Sequence, residues 1–347
     1  MSMMLKKRLA AYSHVSTELA LLSNHQLINL LEDVTPLGTG IGGNTSILKI
    51  NNTTVFVKKI PLTDIELQPK NILSTRNIFD LPMYCQYGIG SPGFGVWREV
   101  AAHIMSTNWV IAGECPNFPL MYHWRVLPSP VLSTNEMLNR DSAYLNGIQE
   151  VRQRIQAIQT ASNSIVIFLE YFPHNVHQWF AQELSKNNTT AEAACMMVEK
   201  NLKTITAFIN SHDLLHFDAH FWNILTDGRQ LYFSDFGLAI SSKFELSDAE
   251  IDFFKKNHRY DQCYTMAHLA KWLLIECVSE DNWKSRLHEY LEETVQENIP
   301  STISTAIMRY APLSITMNDF FERLKIAPES TSYPSEELDR LYTIAVQ

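Results

Sequence analysis

The 347-residue chain is poor in several features, and each scarcity excludes something. It has five cysteines, Cys85, Cys115, Cys195, Cys263 and Cys277, scattered, odd in number and without a Cys-x-x-Cys pair. That argues against a disulfide framework or a cysteine zinc site, and predicts reduced, mostly buried thiols in a cytoplasmic protein. No apolar run approaches the ~18 residues of a membrane span. Lys6, Lys7 and Arg8 open the chain, but Ser13, His14, Ser16, Thr17 and Glu18 break what would be the apolar core of a signal peptide, so none is expected. Basic residues are in deficit: 28 Lys and Arg against 37 Asp and Glu leave a net charge of −9. With no long basic run, nucleic acid is not expected as a main partner. Internal repeats and low-complexity segments are also missing. What remains is ordinary globular composition, 46% hydrophobic and 19% charged, in a chain long enough for two lobes and a sizeable core.

The informative stretch is Leu214 to Ala239, LLHFDAHFWNILTDGRQLYFSDFGLA. It carries His216-Phe217-Asp218, then Asn223, then Asp235-Phe236-Gly237. Ile224-Leu225 and Leu231-Tyr232-Phe233 read as two short strands around a turn at Asp227-Gly228. An acid on a loop, an amide after it and a second acid past a hairpin suit magnesium-assisted phosphoryl transfer. The first acid can orient or deprotonate a hydroxyl. The amide and the second acid are hard oxygen ligands for a metal that already holds ATP phosphates. By chance this pattern arises in a chain of such length with odds on the order of one in a thousand or less.

These residues resemble the protein-kinase-like superfamily. The run Asp235-Phe236-Gly237-Leu238-Ala239 looks like eukaryotic-type protein kinases. His216-x-Asp218-x-His220-x-x-Asn223 looks more like the aminoglycoside phosphotransferase and choline kinase branch. The resemblance implies an α+β, bilobal protein-kinase-like fold with a small β-rich N-lobe, a large helical C-lobe and ATP in the cleft. It implies an enzyme that moves the γ-phosphoryl group of Mg-ATP to a hydroxyl. Asp218 would orient the nucleophile, and Asn223 and Asp235 would hold magnesium. His220 would touch the transferred group or only fix the loop. His216 reads as a structural brace.

Upstream, residues 1–33 read as helical, Leu27, Leu30 and Leu31 recurring at helical spacing with Asn24 as an N-cap. This extension is expected to pack on the N-lobe, 34–171. Pro36 to Thr45 contains glycines at 38, 40 and 43, and strand, turn, strand follows rather than a helix. That favours a phosphate-covering loop over a dinucleotide fold. In the strand Val55 to Ile60, Lys58 is the chosen phosphate ligand. Lys59 takes the role instead if Val57 rather than Phe56 lies beside the adenine. Glu99, on a helix beginning near Val96, is the expected partner of that lysine; otherwise it only charges the helix's first turn. Residues 61–95 and 141–160 read as insertions, the second a helix with Tyr144, Ile148, Val151 and Ile155 on one side. Phe118 to Val126 is an expected strand. Another, Ser164 to Tyr171, should bring the 169–172 backbone, Glu170 and Tyr171 included, to an adenine edge.

The C-lobe, 172–347, is expected to be helical, with helices over His174–Leu184, Ala191–Ser211 and Asp261–Cys277. Asp261 would anchor the catalytic loop, as a matching aspartate does in the family, or simply cap its helix. Three or so helices follow, with breaks near Pro300, Pro312 and Pro328. Residues 240–260 lack an Ala-Pro-Glu run, so a peptide platform should be reduced. A small-molecule acceptor is therefore favoured slightly over a protein substrate. A pseudokinase scaffold is the alternative from another class.

Overall fold

The computed structural model describes residues 2–40, 43–128, 147–278, 281–292 and 299–347. It is a mixed α+β structure in two compact units, Met1–Tyr171 with Asp235–Glu250, and Phe172–Ser234 with Ile251–Gln347.

The first unit opens with α1 (Met3–Leu21) and α2 (Asn24–Leu30). The cap of α2 is Ser23 rather than Asn24. Its hydroxyl accepts the Gln26 N–H while the Gln26 side chain accepts the Ser23 N–H, a reciprocal pair that leaves Asn24 as the first helical residue. Five strands follow: β1 (Thr35–Gly40), β2 (Gly43–Ile50), β3 (Thr53–Leu62), β4 (Met121–Pro128) and β5 (Asn163–Glu170). They form one antiparallel sheet in the order β1-β2-β3-β5-β4. Strand β4 begins three residues later than the sequence pattern suggests.

Helix α3 (Val96–Ala112) lies on this sheet. Ile60 and Leu62 of β3 and Ile165, Ile167 and Leu169 of β5 share a core with its Val96, Trp97 and Val100. Strand alternation puts Phe56 and Lys58 on this same face. Helix α1 packs on β4 and is fastened by Arg8. The guanidinium of Arg8 grips Glu170 at 2.8 Å and donates to the carbonyls of Pro116 and Phe118, each at 2.6 Å.

The stretch between β3 and α3 is irregular and packed. Phe79, Leu81, Cys85 and Phe94 form a second core with Val151 of α4 (Gln149–Gln159). Helix α4 begins later than the expected 141; residues 141–146, Tyr144 among them, lie outside the described residues. Buried Glu66 ties these parts together. Its Oε2 accepts from Arg154 of α4 at 2.8 Å, and its Oε1 accepts the N–H of Val96 at 3.0 Å, at the open start of α3. Burial pushes the Glu66 carboxyl up, but Arg154 and the hydrogen bonds outweigh it and hold it below its usual range.

The second unit carries a small antiparallel sheet, β6 (His174–Asn175), β7 (Ile224–Thr226) and β8 (Leu231–Phe233). The turn between β7 and β8 is the one expected at Asp227-Gly228. Gly228 has φ 79°, and Asp227 Oδ1 accepts from Arg229 and Gln230. Apart from a two-residue strand at Leu214–Leu215 and the connecting loops, the rest is helical: α5 (Val176–Leu184), α6 (Asn188–Ser211), α7 (Asp248–Lys256, leading in from the first unit), α8 (Tyr260–Cys277), α9 (Trp283–Leu291), α10 (Ser301–Ile326) and α11 (Ser335–Val346). Helix α5 starts at Val176 rather than His174, because Asn175 caps it and residues 174–175 pair with β7.

The expected break at Pro312 does not occur; α10 runs through it. A proline inside a helix loses one N–H bond and costs about 3 kcal/mol. The buried face on both sides of it, Ile303, Ile307, Tyr310, Leu313, Met317 and Phe320, offsets that cost by packing along α8 and α9. All five cysteines are free, four of them buried. No helix among the described residues is long and apolar enough to cross a membrane.

Candidate functional site

Polar residues singled out by sequence gather in two groups, one in each unit. In the first unit Lys58 points from β3 toward α3. Its Nζ lies 2.6 Å from Glu99 Oε1 and 2.7 Å from Asp235 Oδ1. Lys58 and Glu99 are buried, whereas the Asp235 side chain is 39% exposed. Burial alone would lower the Lys58 pKa, but Asp235 and Glu99 reverse this and hold the ammonium above the usual lysine range. Lys59 sits on the opposite face, half-buried, and burial lowers it.

The local backbone explains how Asp235 reaches the lysine. Its φ is 61°, a left-handed conformation that aspartate tolerates better than most side chains. The next residue, Phe236, is buried against His103 at a ring distance of 5.0 Å. Gly237 brings its N–H to Asp235 Oδ1 at 3.4 Å, and a Cβ there would meet the Asp235 and Glu99 carboxylates. Beyond it the chain is fastened down. Gln86 donates to the Leu238 carbonyl. Glu245 accepts from Ser74 at 2.6 Å and from the Thr75 N–H at 3.2 Å. Arg98 meets Glu250 at 2.5 Å, both buried.

The expected glycines play unequal parts. Gly38 and Gly40 lie on β1, with Gly40 opposite Gly43 of β2. Gly43 has φ 114°, and a Cβ there would fall 2.2 Å from the Lys59 carbonyl oxygen. Only glycine permits that approach. At Gly38 nothing lies within 4 Å. Glu170 is a structural residue, since Arg8 and the Leu120 N–H hold its carboxylate and its own N–H donates to the Leu120 carbonyl at 2.8 Å. Tyr171 is half-buried at the end of the unit.

In the second unit Asp218, His220 and Asn223 share one loop. The Asn223 amide donates to Asp218 Oδ2 at 2.9 Å and to the Asp218 carbonyl at 3.0 Å. That leaves the Asn223 amide oxygen as the hard ligand. His220 Nε2 is 3.5 Å from Asp218 Oδ1, and both side chains are about a third exposed. The loop is set by its backbone. Asp261, in the first turn of α8, accepts the N–H groups of His216 at 2.6 Å and Phe217 at 2.9 Å. It therefore anchors the loop rather than capping its own helix. Burial pushes the Asp261 carboxyl up to about 6, against the pull of those two bonds. Phe217 has φ 63°, a strained conformation for a bulky residue, and stacks on Tyr260 at 4.3 Å. His216 braces the loop through the Ser234 carbonyl at 2.9 Å.

No model of a known protein family matches this chain, and no curated protein matches it. Its chemistry is therefore read from these two groups of residues. Among the described residues no three His, Cys, Asp or Glu side chains could hold a metal by themselves. The Asn223 amide oxygen and the Asp235 carboxylate are each, taken alone, hard oxygen donors of the kind magnesium prefers.

Sequence reasoning missed the fasteners: Arg8 on Glu170, Glu66 on Arg154, and Arg98 on Glu250. It also missed His103, one turn after Glu99, with Nε2 3.9 Å from Glu99 Oε1. The i,i+4 spacing of Glu99 and His103 was a usable signal. The long-range pairs left none.

Proposed function

We propose that this chain transfers the γ-phosphoryl group of Mg-ATP to a hydroxyl acceptor. The observation that carries the reading is the buried ammonium of Lys58 between Glu99 and Asp235. Burying one cation with two carboxylates is costly unless the geometry serves something. Held this way, Lys58 can donate to phosphate oxygens from a fixed position. Asp235, the more open carboxylate, and Asn223 would hold magnesium. Bound magnesium would neutralise charge on the β- and γ-phosphates and orient them. Asp218 accepts the hydroxyl proton as the acceptor oxygen forms its bond to the γ-phosphorus and the bond to the β-phosphate oxygen breaks. His220 steadies Asp218 from the same loop. Lys59, on the other strand face, takes no part.

A small-molecule acceptor is favoured. Residues 238–250 are fastened by Gln86, Ser74, Thr75 and Arg98, which leaves this segment little freedom to form a peptide platform. The test is transfer of radiolabel from γ-labelled ATP with magnesium, using the chain and its Asp218→Asn variant, into the protein itself and into a pooled small-metabolite extract. Label in a metabolite that disappears with Asp218→Asn supports the proposal. Label confined to protein moves the reading to a protein kinase. Magnesium-dependent ATP binding without any transfer moves it to a pseudokinase.

A further inference from the structure

One side of α8 does two jobs. Asp261, Tyr264, His268 and Lys271 follow at intervals of three, four and three residues, which aligns them along the helix. The first holds the N–H groups of His216 and Phe217. Further along, His268 Nε2 accepts the N–H of Phe221 at 3.4 Å, one residue past His220. The same side lines an open cavity of about 140 Å³ with Tyr264, His268, Lys271 and, from α10, Ser314, Asn318 and Phe321. That is roughly the volume of four or five waters, so it suits a group of a few heavy atoms.

The cavity is rich in donors. Because His268 Nε2 accepts a hydrogen bond, the neutral ring carries its proton on Nδ1. Burial, then the charges of His220, Lys271 and His177, push the imidazole down to about 3 and keep it neutral. Lys271 adds a basic nitrogen whose Nζ stands 4.1 Å from the centre of the Trp283 ring; burial, then the charges of Lys325 and Lys284, lower its pKa, and Glu322 opposes them. Two hydroxyls and the Asn318 amide complete the polar lining, and no carboxylate belongs to it among the described residues. Asp319 and Glu322 of α10 are paired with Lys284, and the Glu322 charge also reaches Lys271. Asp218 is close enough for its charge to act on the Tyr264 hydroxyl, after burial the next cause of that group's raised pKa.

We infer that this cavity binds the anionic group, carboxylate or phosphate, of a small acceptor whose hydroxyl is then presented to Asp218. The inference rests on the phosphotransfer reading and names its substrate class: a small hydroxylated anion rather than a neutral or cationic alcohol.

Titration calorimetry on the full chain tests it, with glycerol 3-phosphate, D-glycerate and glycerol as probes. At least one anion should bind about tenfold or more tighter than glycerol, and the better of the two identifies phosphate or carboxylate. Lys271→Met should weaken that anion by about tenfold while leaving Mg-ATP affinity unchanged, and Lys271→Arg should restore binding to within about threefold. Anions no tighter than glycerol, or binding that Lys271→Met leaves intact, would overturn the inference. If Mg-ATP fails to bind while the anion behaves as stated, the phosphotransfer reading falls and the cavity stands. If Mg-ATP binds and the anion does not, the reverse holds.

Discussion

The two groups of charged residues are held by opposite means. Lys58, Glu99 and Asp235 are fixed by their own side chains, through burial and ion pairing. Asp218, His220 and Asn223 are fixed mainly through the backbone, by Asp261 below the loop and by turns within it. In the first group the proposed chemistry and the stability reside in the same atoms. In the second, the Asp218 and His220 side chains stay about a third exposed, and the work of positioning is done elsewhere. Substitutions should therefore separate the two: in one group activity and stability fall together, in the other activity falls alone.

The largest effect is expected on turnover. If the proposed transfer is right, Asp218→Asn and Asp235→Ala should each lower its rate by about 10³-fold or more, since such catalysis is positioning and charge neutralisation. Asp218→Asn should do so while moving unfolding by no more than about 1 kcal/mol, because its side chain is not buried. A comparable loss of stability in this variant would erase the contrast. Next, Lys58→Met should destabilise the fold by about 3–5 kcal/mol in denaturant unfolding, because it leaves a buried carboxylate without its cation. Lys59→Met, on the other face, should stay within about 0.5 kcal/mol.

The third prediction concerns the anchor. The Asp261 carboxyl stands at about 6 in the folded chain, against ~3.9 for an unperturbed aspartate. The folded state thus holds this proton more tightly. The group's contribution is full below pH 4, declines as the pH rises to 6, and is constant above. Two pH units correspond to about 3 kcal/mol. Unfolding free energies of the wild type and of Asp261→Asn, measured from pH 4 to 7, should differ by a slope confined to that window. The smallest expected effects lie in the glycine loop. Gly43→Ala should cost about 1–3 kcal/mol because of its φ and the Lys59 carbonyl. Gly38→Ala should leave stability unchanged within about 0.5 kcal/mol.

How much of this was legible in the sequence depended on distance along the chain. The Asp227-Gly228 hairpin, the β2–β3 turn and α8 follow from local patterns, and all are present. The pair of Lys58 with Glu99, 41 residues apart, was legible only through the family resemblance. Arg8 with Glu170 and Arg98 with Glu250 stand 162 and 152 residues apart, and nothing local marks them. Helix ends erred by one to three residues where a neighbour capped the helix first, as Ser23 did ahead of Asn24 and Asn187 ahead of Ala191. Pro312 misled because a proline's local cost was weighed without the tertiary packing that offsets it.

The measurement closest to the central claim is titration calorimetry of Mg-ATP against the wild type, Lys58→Met and Lys59→Met, since it requires no knowledge of the acceptor. Magnesium-dependent binding by the wild type is expected, with at least about tenfold weaker binding by Lys58→Met and no change in Lys59→Met. Failure of the wild type to bind, or binding that survives Lys58→Met and is lost in Lys59→Met, would contradict that claim.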